Sequence, residues 1–324
     1  MAEWLIEDGI AEERAICVEA GQVTDARIYW PGRAAAGLVT EAVLVARSAG
    51  NPRGTVRLPD GEEALVSGLP RDASEGSPLR VAVTRAAMAE TGRYKRAQCR
   101  PTADPLRPAP SLAQALMAEG RSVSTVRAFP AGMWEEVFGL AWSGTTDFSG
   151  GSLTFSATPA MTLIDVDGHL RAPELALSAT RSIAESILWL DLGGSIGIDF
   201  PSLSDKPDRR AVDEALGQAL AGWPHESTAM NGFGFVQLVA RLERSSLLHR
   251  VAADRAGAAA RLLLRQAERM AEPGLLLLTL HPAVRAAIRP EWETELARRT
   301  GRQLEWRSDS ALALDAGFAQ AVAS

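Results

Sequence analysis

Histidine, tyrosine and cysteine are scarce here: four, two and two residues in a chain of 324. Cys17 and Cys99 lie far apart and neither belongs to a CxxC, which excludes a zinc knuckle and any readable disulfide framework. His169, His225, His249 and His281 form no HExxH or other metal spacing, so surface and capping roles are expected for them. There is no GxSxG elbow, no GxGxxG and no GxxxxGK; "GGSIG" at 193–197 runs into a strand-like stretch and is no nucleotide fingerprint. The chain has no basic excess either. With a net charge of -6, any polyanion must be met by a local patch or a bound cation rather than by an overall field. The longest aliphatic run, "LLLL" at 275–278, is far too short to span a bilayer, and the opening "MAEWLIEDGIAEER" has no signal-like apolar core. A cytoplasmic protein without membrane contact is expected.

What is present is the composition of a globular protein, 46% hydrophobic and 23% charged, with length for two or three domains. Residues 1–100 read as short strands ("RAICVEA", "DARIYW", "AVLVARS", "GTVRLP", "LRVAVTR") broken by "PGR", "GNPRG" and "LPDGEE", the pattern of a small β barrel. Four prolines at 101–110 predict a linker. From 111 to 234 strands and helices alternate, which predicts an α/β core. In it Leu177, Thr180, Ile183, Ala184, Ile187 and Leu190 recur at helical spacing, so a helix over 173–190 is expected to bury that face. Residues 235–271 read as a long alanine- and leucine-rich helix, and the remainder to 324 as a small α/β subdomain. Trp134, Trp142, Trp189 and Trp223 are expected in the core.

Two apolar runs each close on a carboxylate, "LID" at Asp165 and "GID" at Asp199, with the predicted helix between them. A right-handed crossover makes such strands parallel and adjacent, with both aspartates toward the strand ends where open α/β sheets carry their sites. At a spacing of about 4.8 Å between strands the pair would share a hard cation or hold one proton between them. Asp167 falls on the same strand face as Asp165 and is placed to orient a water. Aspartates at strand ends also cap turns and helices, and spacing alone leaves that alternative open. The most basic stretch, "RYKRAQCR" at 93–100, offers Arg93, Lys95 and Arg96 to phosphates and Tyr94 to a base, or else a solvated strand face.

These residues resemble the ribonuclease E/G family, magnesium-dependent bacterial endoribonucleases of single-stranded RNA. The resemblance is carried by "WLIEDGIAEERAICVEAGQVTDARIYWPGR", by "EGSPLRVAVTR" and "TGRYKRAQC" within 43–100, by "SGGSLTFSATPAMTLIDVDG", and by "LWLDLGGSIGIDF". It implies an OB-type RNA-binding barrel inserted in an α/β nuclease core with a helical and small α/β tail. It also implies that Asp165 and Asp199 hold magnesium, or manganese, as catalytic and metal-binding residues with Asp167 beside them, and that Lys95, Arg93, Arg96 and Tyr94 meet RNA. Products with 5′-phosphate and 3′-hydroxyl ends are expected.

The departures carry expectations of their own. The family's "DIN" is "DVD" here, which adds the charge of Asp167. Its "IDFIDM" is "IDFPSLSD", with Ser202 at the second aspartate. Its "RFGL" is "GFGF", with Gly232 at the arginine, and the region that reads a 5′ monophosphate gives way to the proline linker, so 5′-end sensing is expected to be lost. The clamping aromatics of the barrel are replaced around Val56 and Gly68. The CPxC zinc link is absent, so no zinc is expected and a homo-oligomer would be built without it. A catalytically weak or inactive RNA-binding or regulatory member of the family is the alternative, and a DNA nuclease on the same site a third reading.

Overall fold

The computed structural model describes residues 2–47, 50–90 and 93–322, the side chains of residues 89, 90 and 93 excepted. It is a mixed α/β protein with a closed five-stranded barrel. The barrel strands are Val39–Arg47, Arg53–Arg57, Glu63–Ser67, Pro78–Arg85 and Ala97–Pro101, and they alternate small or β-branched inward residues with polar outward ones. Leu44, Val56, Ala64, Val66, Val81, Val83 and Cys99 fill the interior. Burial pushes the Cys99 thiol up to about 12, so it packs as a small hydrophobe.

The first strands do not belong to the barrel. Glu3–Gly9, Glu12–Glu19 and Gln22–Tyr29 form an antiparallel meander, extended by the parallel strand Val123–Thr125 at its edge. Ile16, Val23, Ala26 and Ile28 of this sheet share one core with Trp134, Ile183 and Ile187. The barrel is thus inserted after residue 29 into a core that both flanking segments build. The proline-rich segment 101–110 is also no free linker. Pro101 ends a barrel strand, and Arg107 and Val39 exchange two backbone hydrogen bonds (3.0 and 3.1 Å), so the segment runs along the barrel wall.

The main sheet has six strands in the order Thr145–Phe148, Gly151–Ala157, Thr162–Gly168, Gly194–Asp199, Phe235–Ala240 and His225–Ser227. The helix expected over 173–190 spans Ala172–Trp189. Its buried face is Leu175, Ala176, Ala179, Thr180, Ile183, Ala184 and Ile187, whereas Leu177 is 40% exposed: the buried stripe starts one position off the expected one. The second correction lies at 235–271. Phe235–Ala240 is a strand with Val236 and Leu238 buried, paired antiparallel to Gly194–Asp199, and only Leu247–Ala253 and Arg255–Arg269 are helical. Six residues of alternating burial satisfy either period in so short a window, and the open edge of the neighbouring strand decides for the ladder. The tail follows the expected strand, helix, helix, strand order, and Phe318–Val322 adds an antiparallel strand to Leu275–Leu280. No helix among the described residues is long and apolar enough to cross a membrane.

A buried ion network ties the first hairpin to the tail. Glu7, fully buried, accepts from Arg14 at 2.5 Å and also meets Arg265 and Arg269 of the helix Arg255–Arg269. Despite the opposing effect of burial, these guanidinium groups lower the proton affinity of Glu7. Removing one partner from such a network strands the others in low dielectric. Glu7→Ala should therefore cost about 3–5 kcal/mol of unfolding free energy in a urea titration.

Asp25 behaves in the opposite way. Burial first, then the charge of Asp191, push its carboxyl up to about 7, with Arg27 and Arg244 only partly offsetting them. Arg244 is committed to Asp191 by two hydrogen bonds of 2.5 and 3.0 Å. An unfolded aspartate releases its proton near about pH 4, so between there and about pH 7 the folded state binds the extra proton and stability falls as pH rises. Asp25→Asn should abolish that decline in melting curves taken from pH 4 to pH 8.

Candidate active site

The strands Thr162–Gly168 and Gly194–Asp199 lie side by side and parallel, with Thr162 opposite Ile196, Leu163 opposite Gly197, Ile164 opposite Ile198 and Asp165 opposite Asp199. The register follows from the pattern of the two strands. Ile164, Ile196 and Ile198 point to the crossover helix and are fully buried, so the intervening residues must point the other way. On that second face both Asp165 and Asp199 are exposed, and among the described residues no helix is seen to cover them. Asp165 is flanked across its other neighbour by Thr154, and Asp167 by Ser152, while Asp199 faces Phe235. Two residues before Asp199, on the same strand face, is Gly197. A Cβ there would lie 2.5 Å from Phe235 Cζ and 3.0 Å from both Leu163 Cδ2 and Met161 Sδ, so glycine lets three side chains close over the sheet beside the carboxylates.

The proton affinity of Asp165 is raised, by partial burial first, then by the charge and hydrogen bonding of Asp167 and by the charge of Asp199. The three aspartates thus sit close enough to feel one another. Among the described residues no group of three or more His, Cys, Asp or Glu side chains converges as a metal cage. The donor set at Asp165 and Asp199 is an open carboxylate pair. Such a pair suits a hard divalent ion that keeps most of its waters, and it does not suit zinc, which takes a closed set of nitrogen and sulfur donors.

The expected RNA contacts lie elsewhere. Strands Met88–Glu90 and Arg93–Lys95 form a small hairpin after the barrel strand Pro78–Arg85. The Arg93 side chain lies outside the described residues. Tyr94 is half exposed, and its hydroxyl accepts a 2.5 Å hydrogen bond from Arg33, whose guanidinium carbon also lies 5.5 Å from the ring centroid. Arg96 is 3.3 Å from Glu63, so part of its charge is already neutralised. Lys95 lines a crevice with Met161, Thr162, Ser195 and His249, where the two aspartate strands begin. Thr162 precedes Asp165 by three residues, about 10 Å along a strand, so the crevice at Lys95 and the aspartates lie toward opposite ends of these strands. Val56 is wholly inside the barrel and Gly68, exposed at positive φ, has no side chain, so neither presents an aromatic face to a ligand.

Two features escaped the sequence reading. Gln237 donates to Ser195 Oγ at 3.0 Å, placing a polar pair on the open face between Lys95 and Asp199. Phe233 stands 82% exposed on the turn next to Asp199. In "GFGF" the missing arginine is legible, but nothing in the residue order says which of the two rings is left exposed.

A family model described as "Ribonuclease E/G family" matches residues 147–241, the span that holds Asp165, Asp167 and Asp199. That segment is similar to the ribonuclease E/G family. Ribonuclease G of Escherichia coli (strain K12) is 34% identical over 113 residues, 31% of this chain and 23% of its own length. Ribonuclease G of Haemophilus influenzae gives the same identity over the same length. The chloroplastic ribonuclease E/G-like protein of Arabidopsis thaliana is 32% identical over 97 residues, 26% of this chain and 10% of that protein. The chain therefore matches less than a quarter of the length of these curated relatives. The ribonuclease E/G segment includes the four central strands of the main sheet and the crossover helix, so the likeness is strongest where the carboxylates stand.

Two like charges held in register repel, and neutralising one relieves the fold. In EDTA, Asp165→Asn should raise the melting temperature slightly at neutral pH. Added magnesium should raise that of the wild type and leave the variant nearly unchanged, as thermal shift measurements would read directly.

Proposed function

We propose that the chain is a metal-dependent endoribonuclease that hydrolyses single-stranded RNA to 5′-phosphate and 3′-hydroxyl ends. The observation that carries this reading is the in-register carboxylate pair, Asp165 opposite Asp199, on the uncovered face of a ribonuclease E/G segment. The curated relatives of that segment bear the name ribonuclease G.

Asp165 and Asp199 would hold a magnesium or manganese ion, which when bound supplies Lewis-acid charge against a phosphoryl oxygen and lowers the pKa of water. Both carboxylates project from neighbouring strands of a fully paired sheet, so their separation is fixed before substrate arrives. Asp167, on the same strand face as Asp165, orients the attacking water and takes its proton. Water oxygen adds to phosphorus and the bond from phosphorus to the 3′ oxygen breaks. The departing oxygen is protonated to a 3′ hydroxyl, and the phosphate stays on the 5′ end of the downstream fragment.

RNA would enter from the hairpin, with Lys95, Arg93 and Arg96 on phosphates and Tyr94 against a base, and cross the open face to the aspartates. Gly232 offers no cation to a 5′ phosphate, so cutting proceeds without 5′-end sensing. The pairing of Arg96 with Glu63 and the lack of outward aromatics at Val56 and Gly68 favour a modest grip on RNA.

The test is cleavage of a labelled single-stranded RNA with magnesium or EDTA, by the wild type and by Asp199→Asn. Magnesium-dependent cutting should fall by about 100-fold or more in the variant, the scale on which losing one preorganised electrostatic contact acts. RNA bound but uncut by the wild type with every metal would replace this reading by that of a non-cleaving RNA-binding protein.

A further inference from the structure

Among the described residues Phe233 is the most exposed large apolar side chain, at 82%; Met117 and Leu106 follow at 57% and 54%. Exposed rings usually sit on loose loops, but this one is fixed. Asn231 Oδ1 accepts from the backbone N–H of Phe233 at 2.9 Å and of Phe235 at 3.1 Å. Gly234 N–H donates to the Asn231 carbonyl at 3.2 Å, and Asn231 N–H to the Phe235 carbonyl at 3.1 Å. The turn is also tied to the chain that follows Asp199: Phe200 N–H donates to the Gly234 carbonyl and Ser202 Oγ to the Phe233 carbonyl, each at 3.2 Å. Gly234 adopts φ +90°, and a Cβ there would lie 2.3 Å from the Phe200 carbonyl oxygen, so only glycine permits the approach.

The backbone around Phe233 is thus held by hydrogen bonds while its ring is left in water. Phe235, two residues on, is opposite Asp199 in the ladder, so the Phe233 backbone lies within about 7 Å of the Phe235 backbone in that pairing. Its neighbours in the chain are Asn231, Gly232 and Gly234, and Ser202 binds its backbone carbonyl, so the turn itself adds little apolar surface to the ring for a protein interface. A lone, rigid, uncharged π-face beside a phosphodiester site matches one ligand group well, the face of an unpaired base.

We propose that Phe233 is a stacking platform for an unpaired nucleobase of the RNA strand, next to the phosphodiester held at Asp165 and Asp199. This rests on the reading of that site as a ribonuclease. The ring acts by positioning: it takes up the base one step from the cut and so holds the phosphodiester against the carboxylates. Because it carries no charge, it adds affinity without adding to the salt dependence of binding. It also offers a grip where the barrel lacks outward aromatics.

The test uses the full chain and a short labelled single-stranded RNA in which each base near the cut is removed in turn, leaving an abasic ribose. Phe233→Ala should raise KM about 10- to 100-fold, the range that loss of one stacked base gives, with the melting temperature, the magnesium-induced thermal shift and the slope of binding against salt unchanged. Phe233→Trp should restore binding and Phe233→Leu should not. One abasic position should weaken the wild type as Phe233→Ala does and have no further effect in the variant, the non-additivity of a direct contact. Met117→Ala, at an exposed residue on the remote helix Leu112–Ala118, should behave as wild type. An unchanged KM in Phe233→Ala, or additive effects at every abasic position, overturns the platform while leaving the nuclease intact. Absence of magnesium-dependent cutting by the wild type overturns the nuclease reading instead. In that case anisotropy of the same RNA in EDTA still decides whether Phe233 stacks a base, and equal affinities of wild type and Phe233→Ala overturn that too.

Discussion

Four residue pairs in a parallel ladder, from Thr162 and Ile196 to Asp165 and Asp199, constrain the rest of this molecule. A parallel pair needs a long crossover, and the helix Ala172–Trp189 supplies it on one face only. Its apolar stripe, with Ile164, Ile196 and Ile198 beneath, forms the centre of the main core. A slip of one residue would send the isoleucines into water and the aspartates into the core. The burial that stabilises the sheet therefore also fixes which carboxylates meet on the outside.

The electrostatics divide into two kinds of site. Around Glu7, buried charge is matched by three arginines, and the network fastens the first hairpin to the tail helix. At Asp165, Asp167 and Asp199 like charges are gathered instead, and partial burial together with those neighbouring charges makes Asp165 hold its proton more tightly. A fold that neutralises Glu7 so fully while leaving three aspartates together on an open face concentrates negative potential in one place. That contrast gives the carboxylates the character of a binding site for a hard cation, on which the proposed chemistry depends.

The two halves of the open face also differ in kind. The end marked by Lys95 is basic and is formed where the barrel hairpin approaches the sheet; the end marked by Asp199 is acidic and is formed by the sheet itself. An extended polyanion lying across both would be held by cations at one end and presented to carboxylates at the other. Phe233 stands beyond the second end on a turn held by hydrogen bonds to Asn231 and Ser202, with its ring exposed to meet a ligand.

The alternation of apolar and polar residues was enough to read the barrel, the crossover helix and the parallel strands, because burial on one face imposes a period that survives in the residue order. The two aspartates were legible as strand-end carboxylates for the same reason. What the order of residues could not decide was anything set by a partner element. Phe235–Ala240 has too few residues to separate a helical period from a strand, and the free edge of Gly194–Asp199 made it a strand. Leu177 fits the apolar spacing, yet the sheet beneath covers the stripe one position away. The first three strands resemble barrel strands, and only packing against Trp134 and Ile183 assigns them to the main core. Of the two rings in "GFGF", tertiary contact with Gly197 laid Phe235 on the sheet, while hydrogen bonds from Asn231 and Ser202 held Phe233 out in water. Sequence by itself determined which residues carry charge and which face of each element is apolar, since both are properties of a segment alone. Tertiary structure decided which of those faces meet, since register and exposure belong to pairs of segments brought together from distant parts of the chain.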